Sequence, residues 1–225
     1  MRLSKRLDAI ASIIAKYSLH KTMADIGSDH GYLPVFLVLE DIVSQAIACD
    51  IADGPLQACL STVQLSHTED KISVKKGNGL APIIEESLDI VSICGMGGNL
   101  ICDILEADLE KAHINTLVIE ANVNEPLVRS WLTSHGWQIV DEDIVEDTKH
   151  YYEIIVAQKG EQHLSSKELY FGKYLLESKS EAFIKKWQWQ KRVHEKILRG
   201  ITKEHEKYPL VKQEYCWILE VLNED

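Results

Sequence analysis

Cysteine is scarce in this chain and never closely paired: Cys49, Cys59, Cys94, Cys102 and Cys216 are its only five, with no Cys-x-x-Cys spacing. An odd number of thiols, set mostly among apolar neighbours, argues against a disulfide framework and for buried free thiols. Long apolar runs are missing too. No stretch approaches the ~20 uninterrupted apolar residues of a membrane span, and Met1-Arg-Leu-Ser-Lys-Arg6 leads into a periodic pattern rather than a secretory h-region. The chain is therefore expected to be cytoplasmic and without membrane partner; separately, no metal is expected, and the chain is expected to be a monomer or weak homodimer. Internal repeats and low-complexity tracts are absent as well. With 225 residues, 45% hydrophobic and 26% charged, the composition is that of a globular protein with a sizeable core.

Basic charge is in short supply: 24 Lys and Arg face 35 Asp and Glu, for a net charge of −11. Taken as an average, that opposes nucleic-acid binding, which calls for a basic footprint. The distribution is uneven, however. Residues 1–21 hold five basic side chains and one acid, residues 22–158 six and twenty-three, and residues 159–225 thirteen and eleven. From Lys159 to Lys212 the thirteen basic groups meet only seven acids. Acid is central and base is terminal, a pattern that serves equally a solvated helical face or a phosphate contact surface.

Leu3, Leu7, Ile10, Ile14 and Tyr17 recur at helical spacing and predict an amphipathic opening helix within residues 1–19. Short β-rich runs follow, each leading into a helical segment: Met23–Ile26 then Tyr32–Leu39, Ala46–Ile51 then Pro55–Leu65, Ile72–Lys75, Asp89–Cys94 then Leu100–Ala107, Leu117–Ala121 then Pro126–Ser134. Such alternation, with several strands apolar throughout, predicts a parallel sheet covered on both faces, a doubly wound α/β domain. Trp137–Val140 and Tyr152–Ala157 break the alternation, since no apolar helix separates them. They predict an edge hairpin, the finish of a class I Rossmann-like methyltransferase with a mostly parallel seven-stranded sheet. Beyond about residue 160 the strand signals stop. Ser165-Ser-Lys-Glu168 is a capping box, and two helical patterns separated near Pro209 predict a small all-helical domain over residues 161–225, beside a catalytic domain over 1–160.

The chemistry concentrates where the predicted strands end. Asp25-Ile-Gly27-Ser28-Asp29-His30-Gly31 is a glycine-bearing turn at the carboxyl edge of the sheet, where ligands bind in such folds. The dinucleotide pattern G-x-G-x-x-G is not met, because Asp29 occupies its second glycine position. Twenty-three residues beyond Gly27, Asp50 closes the second strand beside Ile51, where a carboxylate can accept both hydroxyls of a ribose. Gly77-Asn78-Gly79 leaves room for a flat ring and offers an amide to an adenine edge. Cys94-Gly95-Met96-Gly97-Gly98 removes side chains beside the expected cofactor and substrate. An acid or amide followed by two prolines and an aromatic, usual in amino-group methyltransferases, is not there. A ring nitrogen with a free lone pair needs no base to attack a sulfonium methyl, so positioning and desolvation suffice. Each turn alone is equally an ordinary strand-to-helix connection.

Taken together, Leu3-Ser-Lys-Arg-Leu7, Ala24-Asp-Ile-Gly-Ser-Asp-His-Gly-Tyr-Leu-Pro34, Asp50 with Gly54-Pro-Leu56, Gly77-Asn-Gly-Leu80, Gly95-Met-Gly-Gly98, Arg129 with Trp131-Leu132, Gly136-Trp137 and Tyr152-Glu-Ile154 closely resemble the bacterial tRNA (adenine-22-N1)-methyltransferases. The resemblance is strong over residues 1 to 157 and looser in the tail. It implies S-adenosyl-L-methionine as methyl donor, tRNA as substrate and a C-terminal helical domain that helps hold the RNA. On that reading Asp25, Gly27, Ser28, Asp50, Ile51, Gly77, Asn78, Gly79, Gly95 and Met96 hold the cofactor. Asp29, His30 and Asn122 shape the base site, and Arg2, Lys5 and Arg6 contact RNA. Three departures stand out: Gly31 for an expected alanine, Asn78 for an aspartate, and Glu120-Ala-Asn122 for Gln-Pro-Asn. A methyltransferase for another RNA or a small molecule, and a non-catalytic RNA-binding protein of the same fold, are the alternatives; the missing glycine and the terminal hairpin disfavour an NAD-dependent oxidoreductase.

Overall fold

The computed structural model describes residues 2–19 and 21–223. The opening pattern forms α1 (Lys5–Tyr17), started by Ser4, whose hydroxyl accepts the Leu7 N–H, and it buries Ile10, Ala11, Ile13 and Ile14. Five strands and four helices follow, alternating except after β3: β1 (Thr22–Ile26), α2 (Tyr32–Leu39), β2 (Gln45–Asp50), α3 (Asp53–Leu65), β3 (Ile72–Lys76), β4 (Ser87–Gly97), α4 (Gly98–Asp108), β5 (His113–Val123) and α5 (Glu125–Ser134). The chain then runs through β6 (Trp137–Asp147) and β7 (His150–Lys159). The seven strands lie in the order β3-β2-β1-β4-β5-β7-β6. The first five are parallel, and β7 is antiparallel to both β5 and β6. This is the doubly wound sheet with a terminal hairpin expected from the sequence.

Side-chain alternation divides the core. Met23, Ala46 and Ala48 face a cluster with α1, α2 and α3, whereas Ala24, Ile26, Ile47 and Cys49 face one with α4 and α5. Both faces are covered, as a parallel sheet requires. The hairpin is longer than expected: β6 continues through Asp141-Glu-Asp-Ile-Val-Glu-Asp147, which pairs with Val156–His150. Its acidic composition hid it, because an edge strand can be held by its backbone ladder while its side chains carry charge.

After β7 come α6 (Ser166–Phe171), α7 (Lys173–Ser178), α8 (Glu181–Gly200) and α9 (Tyr208–Leu222). The capping box at Ser165 is complete, the Ser165 hydroxyl accepting from Glu168 N–H and the Glu168 carboxylate from Ser165 N–H. Phe171, Leu175, Phe183, Trp187, Ile218 and Val221 form a third cluster that also takes in Ile144 of β6. The two tryptophans of α8 divide as their spacing predicts: Trp187 is buried and Trp189 is 54% exposed. No helix among the described residues is long and apolar enough to cross a membrane, and none of their His, Cys, Asp and Glu groups cluster as a metal would need.

Candidate active site

β1 delivers the chain to the carboxyl edge of the sheet, where Gly27 (φ +74°), Asp29 (φ +50°) and Gly31 (φ +70°) turn it sharply into α2. The N–H groups of Gly27 and Ser28 both donate to the Cys49 carbonyl at 2.9 Å, laying this loop across the end of β2. Asp50 then ties the two loops together. Its Oδ2 accepts from Asp29 N–H at 3.2 Å and its Oδ1 from Ala52 N–H at 3.0 Å. Beside it the Ile51 side chain is largely in solvent, an apolar shelf next to a half-buried carboxylate. From β3, Gly77 N–H donates to the Asp50 carbonyl at 3.0 Å and brings the exposed Asn78 to the same edge. A Cβ at Gly77 would meet Pro82 Cγ at 2.2 Å, and Gly79 (φ +53°) rests on Ile104.

Two predicted cofactor residues sit deeper. Asp25 is buried and accepts from Ser92 Oγ at 2.7 Å; burial pushes its carboxyl above the usual range. Ser28 is buried, and its hydroxyl has no hydrogen-bond partner among the described residues. A buried hydroxyl without a partner is uncommon in folded proteins.

Asp29 and His30 are exposed at the start of α2, their side chains 3.7 Å apart, and the His30 ring stacks on Tyr32 at 5.3 Å between centroids. Trp137 is buried in the core and presents no face to a base.

The glycine-rich end of β4 is built by its neighbour. Met96 packs against Gly27, its methyl 2.1 Å from where a Gly27 Cβ would be, so the fourth strand's lip touches the first loop. Gly95 (φ +80°) lies where the β4–β5 register shifts. Its N–H donates to Glu120 Oε2 at 3.0 Å, and its carbonyl accepts from Asn122 Nδ2 at 2.8 Å. Gly98 serves packing rather than space for a ligand: a Cβ there would stand 2.6 Å from the Asn124 carbonyl oxygen.

Arg2 and Lys5 are exposed. Arg6 is engaged: its Nη1 donates to Glu120 Oε2 at 3.0 Å, its guanidinium lies over the Tyr152 ring at 5.2 Å, and its N–H donates to Asp147 at 3.1 Å. The extra charge of Glu120 is thereby answered from α1. Burial pushes the Glu120 carboxyl up, against the pull of Arg6.

A groove of about 910 Å³ opens beside Asn122, between the β5–α5 connection, the β6–β7 turn and α8, with Glu125, Lys149, Trp189 and Arg192 among its walls. Beneath it lies a charge network that the sequence reading did not anticipate. Arg129 is buried between Glu142 (2.6 Å) and Glu153 (2.5 Å), and Lys186 of α8 reaches Glu153 (2.7 Å) and Glu125 (2.9 Å). Burial raises both carboxyls, and for Glu142 it prevails over Arg129 alone; at Glu153 the second cation, Lys186, tips the balance below the ordinary value. The members lie between 24 and 61 residues apart across the network's longer links, so no local spacing could have signalled them.

Known proteins place this geometry. The model of the tRNA (adenine(22)-N(1))-methyltransferase family matches residues 23–216. The tRNA (adenine(22)-N(1))-methyltransferase of Bacillus subtilis is 35% identical over 221 residues, 93% of this chain and 92% of that protein. A Streptococcus pneumoniae protein solved in complex with S-adenosyl-L-methionine superimposes with a TM-score of 0.90 at 36% identity, covering 98% of this chain and 100% of that one. The M. capricolum enzyme with S-adenosyl-homocysteine gives 0.87 at 29% identity, covering 99% of each chain. With matching sequence along nearly its whole length and the same fold around the glycine-lined strand ends, the chain belongs to the tRNA (adenine(22)-N(1))-methyltransferase family.

Proposed function

We propose that this chain transfers a methyl group from S-adenosyl-L-methionine to N1 of adenine 22 in tRNA. The observation that carries the reading is the junction at Gly95. Its strand end touches the first loop through Met96, and its carbonyl is held by Asn122, which lines the groove beneath α8. A cofactor crevice and a substrate groove thus meet at a residue with no side chain.

The residues present fit the cofactor. Asp50 offers a ribose its carboxylate, Ile51 an apolar wall, Asn78 an amide for an adenine edge, and the unpartnered Ser28 hydroxyl a hydrogen bond to a polar group. When bound, S-adenosyl-L-methionine supplies a methyl carried on a positively charged sulfur. Adenine N1 attacks with its own lone pair, the carbon–sulfur bond breaks, and the positive charge passes to the base; no proton leaves N1. The protein's work is therefore positioning. Asn122, its Nδ2 engaged by Gly95, keeps Oδ1 to accept from the exocyclic amine of adenine. The exposed Asp29 carboxylate at the mouth offsets the charge arriving on the base.

An acidic centre would repel a polyanion, so docking falls to the two basic ends. From α1, Arg6 reaches the Glu120 that holds Gly95, and from α8, Lys186 reaches Glu125 in the wall of the groove beside Asn122. Residues 161–225 act as the RNA-holding part, and Arg2 and Lys5 contact phosphate. Incubation of bulk tRNA with labelled S-adenosyl-L-methionine, followed by nucleoside analysis, should give 1-methyladenosine, absent when position 22 is not adenine. Any other methylated nucleoside would move the activity to a different RNA target; no product would leave an RNA-binding protein.

A further inference from the structure

Gly95 has left the β4–β5 ladder. Cys94 pairs with Glu120 and Met96 with Ala121, so the intervening peptide opposes no residue and its N–H and C=O fall outside the sheet pairing. Both groups are recovered by side chains of β5: the Glu120 carboxylate takes the N–H and the Asn122 amide takes the C=O. A left-handed glycine peptide is thereby clamped from both ends. A carboxylate with no exposed side-chain surface is costly without a cation, and Arg6 supplies one to the same oxygen that holds Gly95. Tyr152 and Asp147 in turn fix Arg6 from the hairpin.

We infer that Arg6 and Glu120 are positioning residues for methyl transfer, acting through the Gly95 peptide on Asn122 and the lip that receives the base, and that Arg6 is committed to this clamp instead of to RNA phosphate. The inference rests on the methyl-transfer reading. It links α1, at the RNA-facing end of the molecule, to the reacting edge of the sheet by one chain of contacts: Arg6, Glu120, Gly95, Asn122.

The test compares Arg6→Ala, Arg6→Lys, Glu120→Ala, Glu120→Gln and the double Arg6→Ala/Glu120→Ala variant. Three measurements are made on each: kcat and KM for 1-methyladenosine formation, tRNA affinity across a salt series, and amide hydrogen exchange at Gly95 by NMR. Each alanine variant should lose roughly 10- to 100-fold in kcat, the scale set by small misplacements at a reacting centre. Affinity for tRNA and its salt dependence should stay as in the parent. The double variant should be no slower than the worse single one, because the two residues act as a unit. Gly95 exchange should quicken at least tenfold in Glu120→Ala. In Glu120→Gln, which keeps the volume and an acceptor should the alanine variant not fold, it should stay near the parent. Arg6→Lys should recover part of kcat. Unchanged Gly95 exchange in Glu120→Ala would overturn the clamp. So would an Arg6→Ala enzyme that keeps kcat at saturating tRNA but binds it with a salt slope shallower by about 0.7–0.9, the mark of a phosphate contact. A parent that makes no 1-methyladenosine would instead overturn the functional reading, while Gly95 exchange still decides whether the clamp exists.

Discussion

Replacing Arg129 by Met tests whether the buried network holds the helices on the catalytic sheet. The guanidinium is fully buried and donates to Glu142 at 2.6 Å, to Glu153 at 2.5 Å and to the Leu169 carbonyl at 3.2 Å. Methionine fills much of the volume without the charge. Lys186 still serves Glu153, so Glu142 loses its cation and keeps only the Tyr174 N–H at 3.0 Å. Leaving a buried charge uncompensated costs about 3–5 kcal/mol. At about 2–4 °C per kcal/mol for a chain of this size, the midpoint should fall by ~6–20 °C. The sign with pH follows from Glu142. Without its cation its folded pKa rises further above the unfolded value, the folded state binds more protons, and the deficit should shrink as pH falls from 7 toward 5. Adding Glu142→Leu should restore about half of the loss, since no orphan charge remains. Urea and thermal unfolding followed by circular dichroism at both pH values would measure this. A loss under about 1 kcal/mol at pH 7, the scale of a surface pair, or one that does not diminish at pH 5, would refute the reasoning.

Further outcomes are equally specific. Asp50→Ala should weaken S-adenosyl-L-methionine binding by about 1.5–3 kcal/mol, roughly 10- to 150-fold, in calorimetry; unchanged affinity would reject the crevice. Gly98→Ala should cost about 1–3 kcal/mol in urea unfolding, because the new methyl meets rigid backbone, whereas Gly54→Ala, with nothing within 4 Å, should be nearly silent. Burial pushes the Cys49 thiol up to about 12 and those of Cys59 and Cys102 up to about 11, leaving them protonated at pH 8. Iodoacetamide should spare these three in the native protein and label them in urea, and prompt native labelling would contradict the burial. Arg2→Gln with Lys5→Gln should lower the salt slope of tRNA binding by about 0.7–0.9 per lost contact without touching cofactor affinity; an unaltered slope would make that end a solvated face.

The order of strands and helices, the glycine-marked turns after β1, β3 and β4, and the capping box at Ser165 were legible in the sequence. Each depends on neighbours in the chain: strand burial on runs such as Ala46–Cys49, turns on glycines that accept positive φ, the cap on a serine three residues before a glutamate. The same local logic placed Asp50 at the edge beside Ile51 and split Trp187 from Trp189. It missed seven of the eleven residues of β6, because an edge strand is fixed by its partner's backbone and not by apolar alternation. It could not assign partners to charges. Arg6 looked like one more basic group of an exposed helix until β5 brought Glu120 within 3.0 Å, 114 residues away in sequence. Arg129, Glu142, Glu153 and Lys186 are scattered over an α-helix, two strands and a helix of the tail, and they form one network only because the sheet and α8 close over them. Periodicity and turn chemistry are properties of short segments, so the sequence alone determined the elements and the edge where ligands gather. Which charge answers which, and which residue is left free for RNA, depends on distances that exist only after long-range packing, and that was decided by the tertiary structure.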